Sequence, residues 1–146
     1  MHDAISRLVE IGAPHRWIVT TGMVAFGLGC VYIAPAWPRP ARLTLLLAGI
    51  TSFGVAAFPC TEGCPGNGAF TDLMHSGMAA IHYGALLATP VLLSRSPLSV
   101  ATTVIAGLAL ALHVFGPGPN GLMQRIGLTT LDLWLIGTAL RSRSTW

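Results

Sequence analysis

The chain has 146 residues, of which 53% are hydrophobic and only 9% charged, and its mean hydropathy is +0.68. A water-soluble domain carries roughly 25% charged residues to cover its surface, so this composition excludes one and makes lipid the solvent. The net charge of +3 comes from eight arginines, with no lysine, spread singly along the chain, which excludes a nucleic-acid-binding stripe. At about 20 residues per helical crossing, there is room for five or six spans and none for a separate soluble catalytic domain. The predicted architecture is an all-α integral membrane helical bundle. It forms a single transmembrane domain over residues 1–146, with about five transmembrane helices and a short N-terminal interfacial helix.

Residues 1–16 carry Asp3, Arg7, Glu10, His15 and Arg16, with Ile5, Leu8 and Val9 at near-helical spacing, and read as the interfacial helix. The first span covers about 17–37, with Trp17 and Trp37 at its ends and Tyr32 near the second as interfacial anchors. Ala34 and Ala36 form an A-x-A-like cleavage site, but acidic residues precede a long apolar stretch, so a retained span is expected rather than a signal peptide. Pro35, Pro38 and Pro40 end it, and a short second span follows over about 43–59. The Gly-rich loop from Cys60 to Thr71 contains no basic residue, and the close pair Cys60 and Cys64 reads first as a disulfide staple. Cys30, inside an apolar run, reads as an inert packing residue. The third, fourth and fifth spans cover about 72–93, 98–115 and 121–140, separated by Ser94–Pro97 and by the Gly116–Gly121 breaker run.

Five spans put the termini on opposite sides. With the N-terminus outside and the C-terminus cytoplasmic, Arg39, Arg42, Arg95, Arg141 and Arg143 lie inside, against Arg7, Arg16 and Arg125 toward the outside. The same orientation in a plasma membrane puts Cys60 and Cys64 in an oxidising space.

Ionisable groups within spans are costly and should face one another. Counting helical rise from the outer ends, His75, His113 and Arg125 lie roughly 4–6 Å deep, with Asp72 and Glu62 just above them. These residues form a candidate outer polar layer. His82 and Asp132 lie roughly 15–16 Å deep, near the midplane, and are predicted to form a hydrogen bond or ion pair. Asp72, His75 and His113 are a candidate zinc set with an open fourth position, although no H-E-x-x-H or C-x-x-C pattern accompanies them. His75 and His113 are also candidate bis-histidine haem ligands. A proton path through His82 and Asp132 would need further ionisable groups toward the inner side, and the inner halves of the spans have none except at their ends. The plainest reading of all these groups is mutual satisfaction that fixes helix register.

Three segments resemble a family of small multi-pass bacterial membrane proteins catalogued as domain of unknown function 998. They are Phe58-Pro59-Cys60 with its Gly/Pro loop, His75-Ser76 followed by small residues, and Gly121-Leu122-Met123-Gln124-Arg125 with Leu133-Trp134 further along. Together they cover roughly the C-terminal two thirds. The resemblance implies an integral membrane protein and no known activity, so function must be argued from the residues.

Three small-residue rows, Thr21/Ala25/Gly29, Ala48/Ser52/Ala56 and Ser76/Ala80/Gly84, permit close helix approach. The expectation is a non-enzymatic protein with no cofactor, whose partners are membrane lipids and either a membrane or envelope protein or a second copy of itself, and no nucleic acid. Two alternatives stand beside it. One is a zinc-dependent membrane-embedded hydrolase acting on lipid at the outer leaflet, and the other is a haem-binding membrane redox protein.

Overall fold

The computed structural model describes residues 5–64, 68–116 and 120–143. Their regular structure is all helical: α1 (Arg16–Ile33), α2 (Arg39–Ala57), α3 (Phe70–Leu93), α4 (Pro97–Phe115) and α5 (Asn120–Arg143), with short 3-10 turns at Ile5–Leu8 and Ala34–Ala36. Among the described residues four helices, α1 through α4, are long and apolar enough to cross a membrane. The fifth has 24 residues, ample for a crossing, but Gln124, Arg125 and Asp132 lower its hydropathy below that of the other four.

The N-terminal segment differs from the expected interfacial helix. After the 3-10 turn the chain breaks, because Pro14 follows Gly12 at φ +95° and precedes His15 at φ +62°, both left-handed conformations that interrupt a helix. The segment is instead tied down by tertiary contacts. Val9 is fully buried, Ile11 N–H donates to Cys60 O (2.9 Å), and the Glu10 carboxylate accepts from Gly63 N–H (2.9 Å).

The α1–α2 connection also differs. Pro40 falls in the first turn of α2, where its missing N–H costs nothing, so the helix begins at Arg39 rather than near Leu43. Arg42 reaches back to close the turn, its guanidinium donating to Pro35 O (3.1 Å) and Trp37 O (3.1 and 3.2 Å). Trp37 is not an interfacial anchor: it is 3% exposed and meets Trp134 edge to face at 6.1 Å. Trp17 and Tyr32, at 67% and 74% exposure, do present their rings outward.

Neighbouring helices pack in chain order, α1 on α2, α2 on α3, α3 on α4 and α4 on α5, with lesser contacts of α5 to α3 and to the N-terminal 3-10 turn. Two apolar clusters hold this curled row together. One joins Cys30, Ala34, Trp37, Ala41, Leu45 and Leu135 at the tryptophan end, and the other joins Ala48, Ala85, Leu86, Ala106, Leu110 and Leu131. Cys30 is a free cysteine in the first cluster, the packing role the sequence suggests. Outside the clusters, side chains such as Leu28, Ile50, Leu73, Leu108 and Leu133 are exposed around the circumference, as a lipid-facing belt requires.

The α1–α2 contact depends on glycine. A methyl group added at Gly27 would lie 2.9 Å from Gly49 O, and one at Gly49 would lie 3.0 Å from Gly27 O. Backbone cannot yield as a side chain can, so Gly27→Val and Gly49→Val are each expected to cost on the order of 1–3 kcal/mol in detergent thermal unfolding. Gly29→Ala, whose added carbon meets nothing within 4 Å, is expected to be neutral. Equal effects at all three positions would contradict the close approach.

Candidate functional site

The loop between α2 and α3 is organised by one carboxylate. Asp72 is fully buried in the first turn of α3. Its Oδ1 accepts from Thr61 N–H (2.7 Å), and its Oδ2 accepts from the Thr61 hydroxyl (2.8 Å) and Ala69 N–H (2.9 Å). The bond to Ala69 is the acidic half of a capping box, and Ala69 has no side-chain oxygen to supply the other half. Cys60 and Cys64 form a disulfide across the same loop, with Cα atoms 5.1 Å apart. Glu62 lies exposed between them.

This geometry corrects the expected metal set. Both Asp72 oxygens are committed, and His75 places Nδ1 2.9 Å from Phe58 O, the unpaired carbonyl region at the end of α2. Among the described residues no group of three or more His, Cys, Asp or Glu side chains could hold a metal ion, so Asp72, His75 and His113 are not brought together as ligands. His113, half-buried near the end of α4, is not among the residues lining the cavity that His75 faces. Arg125 turns back on its own helix, donating to Gly121 O (3.0 Å).

The midplane pair is corrected in a more informative way. His82 does not bond Asp132. Its Nδ1 lies 2.9 Å from Ala48 O, and its ring meets Phe26 edge to face at 5.6 Å. His82 and Asp132 instead line one cavity of about 260 Å³, together with His75, Tyr83, Ser52 and Gln124. His75 and His82, seven residues apart on α3, share one face of that helix, and both line the cavity. On α5 the inward face holds Gln124, Leu128 and Asp132, and Arg125 does not line the cavity.

The cavity is lined by α1, α2, α3 and α5, with Val19, Met23, Phe26, Val55 and Leu128 as its apolar wall. Ile5 lines its loop end, where Ile5 N–H donates to Gln124 Oε1 (2.6 Å) and Gln124 Nε2 donates to the Tyr83 hydroxyl (2.5 Å). The N-terminal 3-10 turn therefore acts as a cover pinned through Gln124. Sequence reasoning missed Gln124, Tyr83 and Ser52. The available signal was the i, i+4, i+8 spacing of Gln124, Leu128 and Asp132, which puts two polar residues on one helix face.

Asp132 occupies a junction. It also lines a groove between α1 and α5, beside Gly29, Cys30, Ile33, Leu135 and Ile136. The chain-order packing leaves α1 and α5 only weakly joined along this seam. Among the described residues the Asp132 carboxylate accepts no hydrogen bond and forms no ion pair, whereas Asp72 accepts three hydrogen bonds.

A family model described as protein of unknown function (DUF998) matches residues 1–141. No curated protein and no solved structure matches the chain.

The committed state of Asp72 gives an ordered expectation. Asp72→Asn turns an acceptor oxygen into an N–H₂ group facing donors, and should lower stability by about 1–3 kcal/mol. Thr61→Ala, which removes only a hydroxyl donor, should cost less. Thermal unfolding of both variants in mild detergent tests this, and a Thr61→Ala effect exceeding that of Asp72→Asn would contradict the loop-organising role.

Proposed function

The chain belongs to the DUF998 family, and from the geometry of its cavity we propose that it is a non-enzymatic membrane protein that binds a small amphipathic molecule within the bilayer. The single observation that carries this is the cavity of about 260 Å³, apolar along most of its wall and polar at His75, His82, Gln124 and Asp132. Small-molecule sites combine an apolar lining with a few convergent polar groups in this way. A cavity that served only to fix helix register would leave its polar groups bonded to one another, and Asp132 is not.

The groove between α1 and α5 supplies the approach from lipid, and the N-terminal turn that carries Ile5 lies across the other end. Among the described residues the three ligands of the zinc reading do not form a metal-holding group.

A second reading, assembly with another membrane or envelope protein or with a second copy, is favoured by one observation. Thr21, Ala25 and Gly29 on α1, and Ser76, Ala80 and Gly84 on α3, all face outward, whereas Ala48 and Ser52 of the third row are buried inside the chain. Crosslinking in mild detergent separates the two readings: a reproducible crosslinked species lost on Gly84→Leu favours assembly.

In this reading the protein resides in the plasma membrane with its N-terminus outside and C-terminus cytoplasmic. After reduction of the disulfide, a membrane-impermeant thiol reagent is expected to label Cys64 from the outer face of intact cells. Labelling confined to inside-out vesicles would invert the orientation.

Binding itself is tested by filling the cavity. Ala79 lines it, and Ala101 on α4 is exposed on the circumference. Native mass spectrometry of protein gently extracted from its membrane is expected to find a copurifying small molecule retained in Ala101→Phe and lost in Ala79→Phe. A bound molecule unaffected by Ala79→Phe would overturn the assignment to this cavity.

A further inference from the structure

We infer that the molecule this cavity takes is an organic cation, a primary or secondary ammonium on an elongated apolar body, with its N–H groups directed at Asp132 and His82. The inference rests on the binding reading above and adds the charge and polarity of the ligand to it.

It follows from counting which hydrogens the cavity wall has already used. The Nδ1 of His82 meets Ala48 O and the Nδ1 of His75 meets Phe58 O, both at 2.9 Å. A carbonyl can only accept, so each Nδ1 carries a ring proton, and a ring that holds only that proton keeps Nε2 as an acceptor. Neither Nε2 has a hydrogen-bond partner among the described residues. The Asp132 carboxylate adds two more acceptor oxygens, also without a bonded partner.

The donors, by contrast, are largely spent. The Ser52 hydroxyl donates to Met23 O (2.8 Å), Ile5 N–H to Gln124, and Gln124 Nε2 to Tyr83. What remains is the Tyr83 hydroxyl proton and the second Gln124 N–H, on the side of the Ile5 cover. Among the described residues no arginine lines the cavity, and the chain contains no lysine.

An anionic ligand would meet the Asp132 carboxylate with no cation to offset it, and a neutral acceptor would find acceptors facing it at the Asp132 end. An ammonium meets both needs, because its charge offsets a carboxylate that lipid cannot solvate, and its N–H groups reach both Asp132 and His82 Nε2. The Phe26 ring, in contact with His82, adds an aromatic face for a cation.

The length of the ligand follows from helix geometry. His75 and His82 are seven residues apart, about 10 Å along α3. A molecule spanning the cavity therefore presents its far end to His75 and Gln124. Asp132 also opens on the α1–α5 groove, so the charged end lies where a molecule arriving from lipid would first meet a polar group.

The test uses the full-length protein in mild detergent with three probes of one shape: 4-phenylbutylamine, 4-phenylbutanol and 4-phenylbutanoate. Equilibrium binding should favour the amine over the alcohol at least tenfold, with the carboxylate weakest. Asp132→Asn should abolish the preference for the amine over the alcohol, and Asp132→Glu should retain it. Alcohol or carboxylate binding as tight as the amine, or an amine preference that survives Asp132→Asn, overturns the inference. If all three probes bind alike and Ala79→Phe removes them all, the cavity reading stands and the cation fails. If none binds to the native protein, both fail.

Discussion

Lipid offers no hydrogen bonds, and that constraint orders the polar side chains of this protein. Most of them find a partner in backbone carbonyls or in the connecting segments. Arg42 closes the α1–α2 turn on Pro35 O and Trp37 O, His75 caps the end of α2 at Phe58 O, and His82 and Ser52 tie α2 to α3 and to α1. Thr89 bonds both Ala85 O in its own helix and the Thr44 hydroxyl on α2. Each of these bonds fixes the register of one helix against the next. Against that background the Asp132 carboxylate stands out, since it lies on a helix face directed into a cavity and has no hydrogen-bond donor among the described residues.

The cavity exists because the helices pack as a curled row rather than a filled bundle. Gly27 and Gly49 bring α1 and α2 into backbone contact, and Gly127 lets α5 settle on Leu110 of α4. The two ends of the row, α1 and α5, are joined by Trp37, Trp134 and Leu135 at one end of the bundle. At the other they are bridged by the N-terminal segment, with Ile5 held by Gln124. Between these closures the seam is open, and the polar groups that face it are the ones the helix–helix bonds leave over.

The helical spans were legible in the sequence because their apolar runs are long and their breaks are marked by proline, glycine and charge. Their edges were less so. Pro40 reads as a stop after α1 and yet sits in the first turn of α2, because the same missing N–H is disruptive inside a helix and harmless at its start. Trp37 has the composition of an interfacial anchor, and only tertiary packing against Trp134 makes it a core residue. Depth matching paired His82 with Asp132, and both line the cavity without bonding each other. It could not tell that each imidazole would turn its Nδ1 to a carbonyl of α2, since backbone acceptors carry no sequence signature. Asp72 was misread for the same reason: its partners are two backbone N–H groups and a threonine hydroxyl, not a metal set.

Two acids of the helices differ: Asp72 is buried and enclosed by donors, and half-buried Asp132 opens on a lipid-facing seam. Treating the protein in membranes with a lipid-soluble carbodiimide, followed by peptide mass spectrometry, compares them directly. The account predicts a covalent adduct on Asp132 and none on Asp72. An adduct on Asp72 with Asp132 unmodified would contradict it.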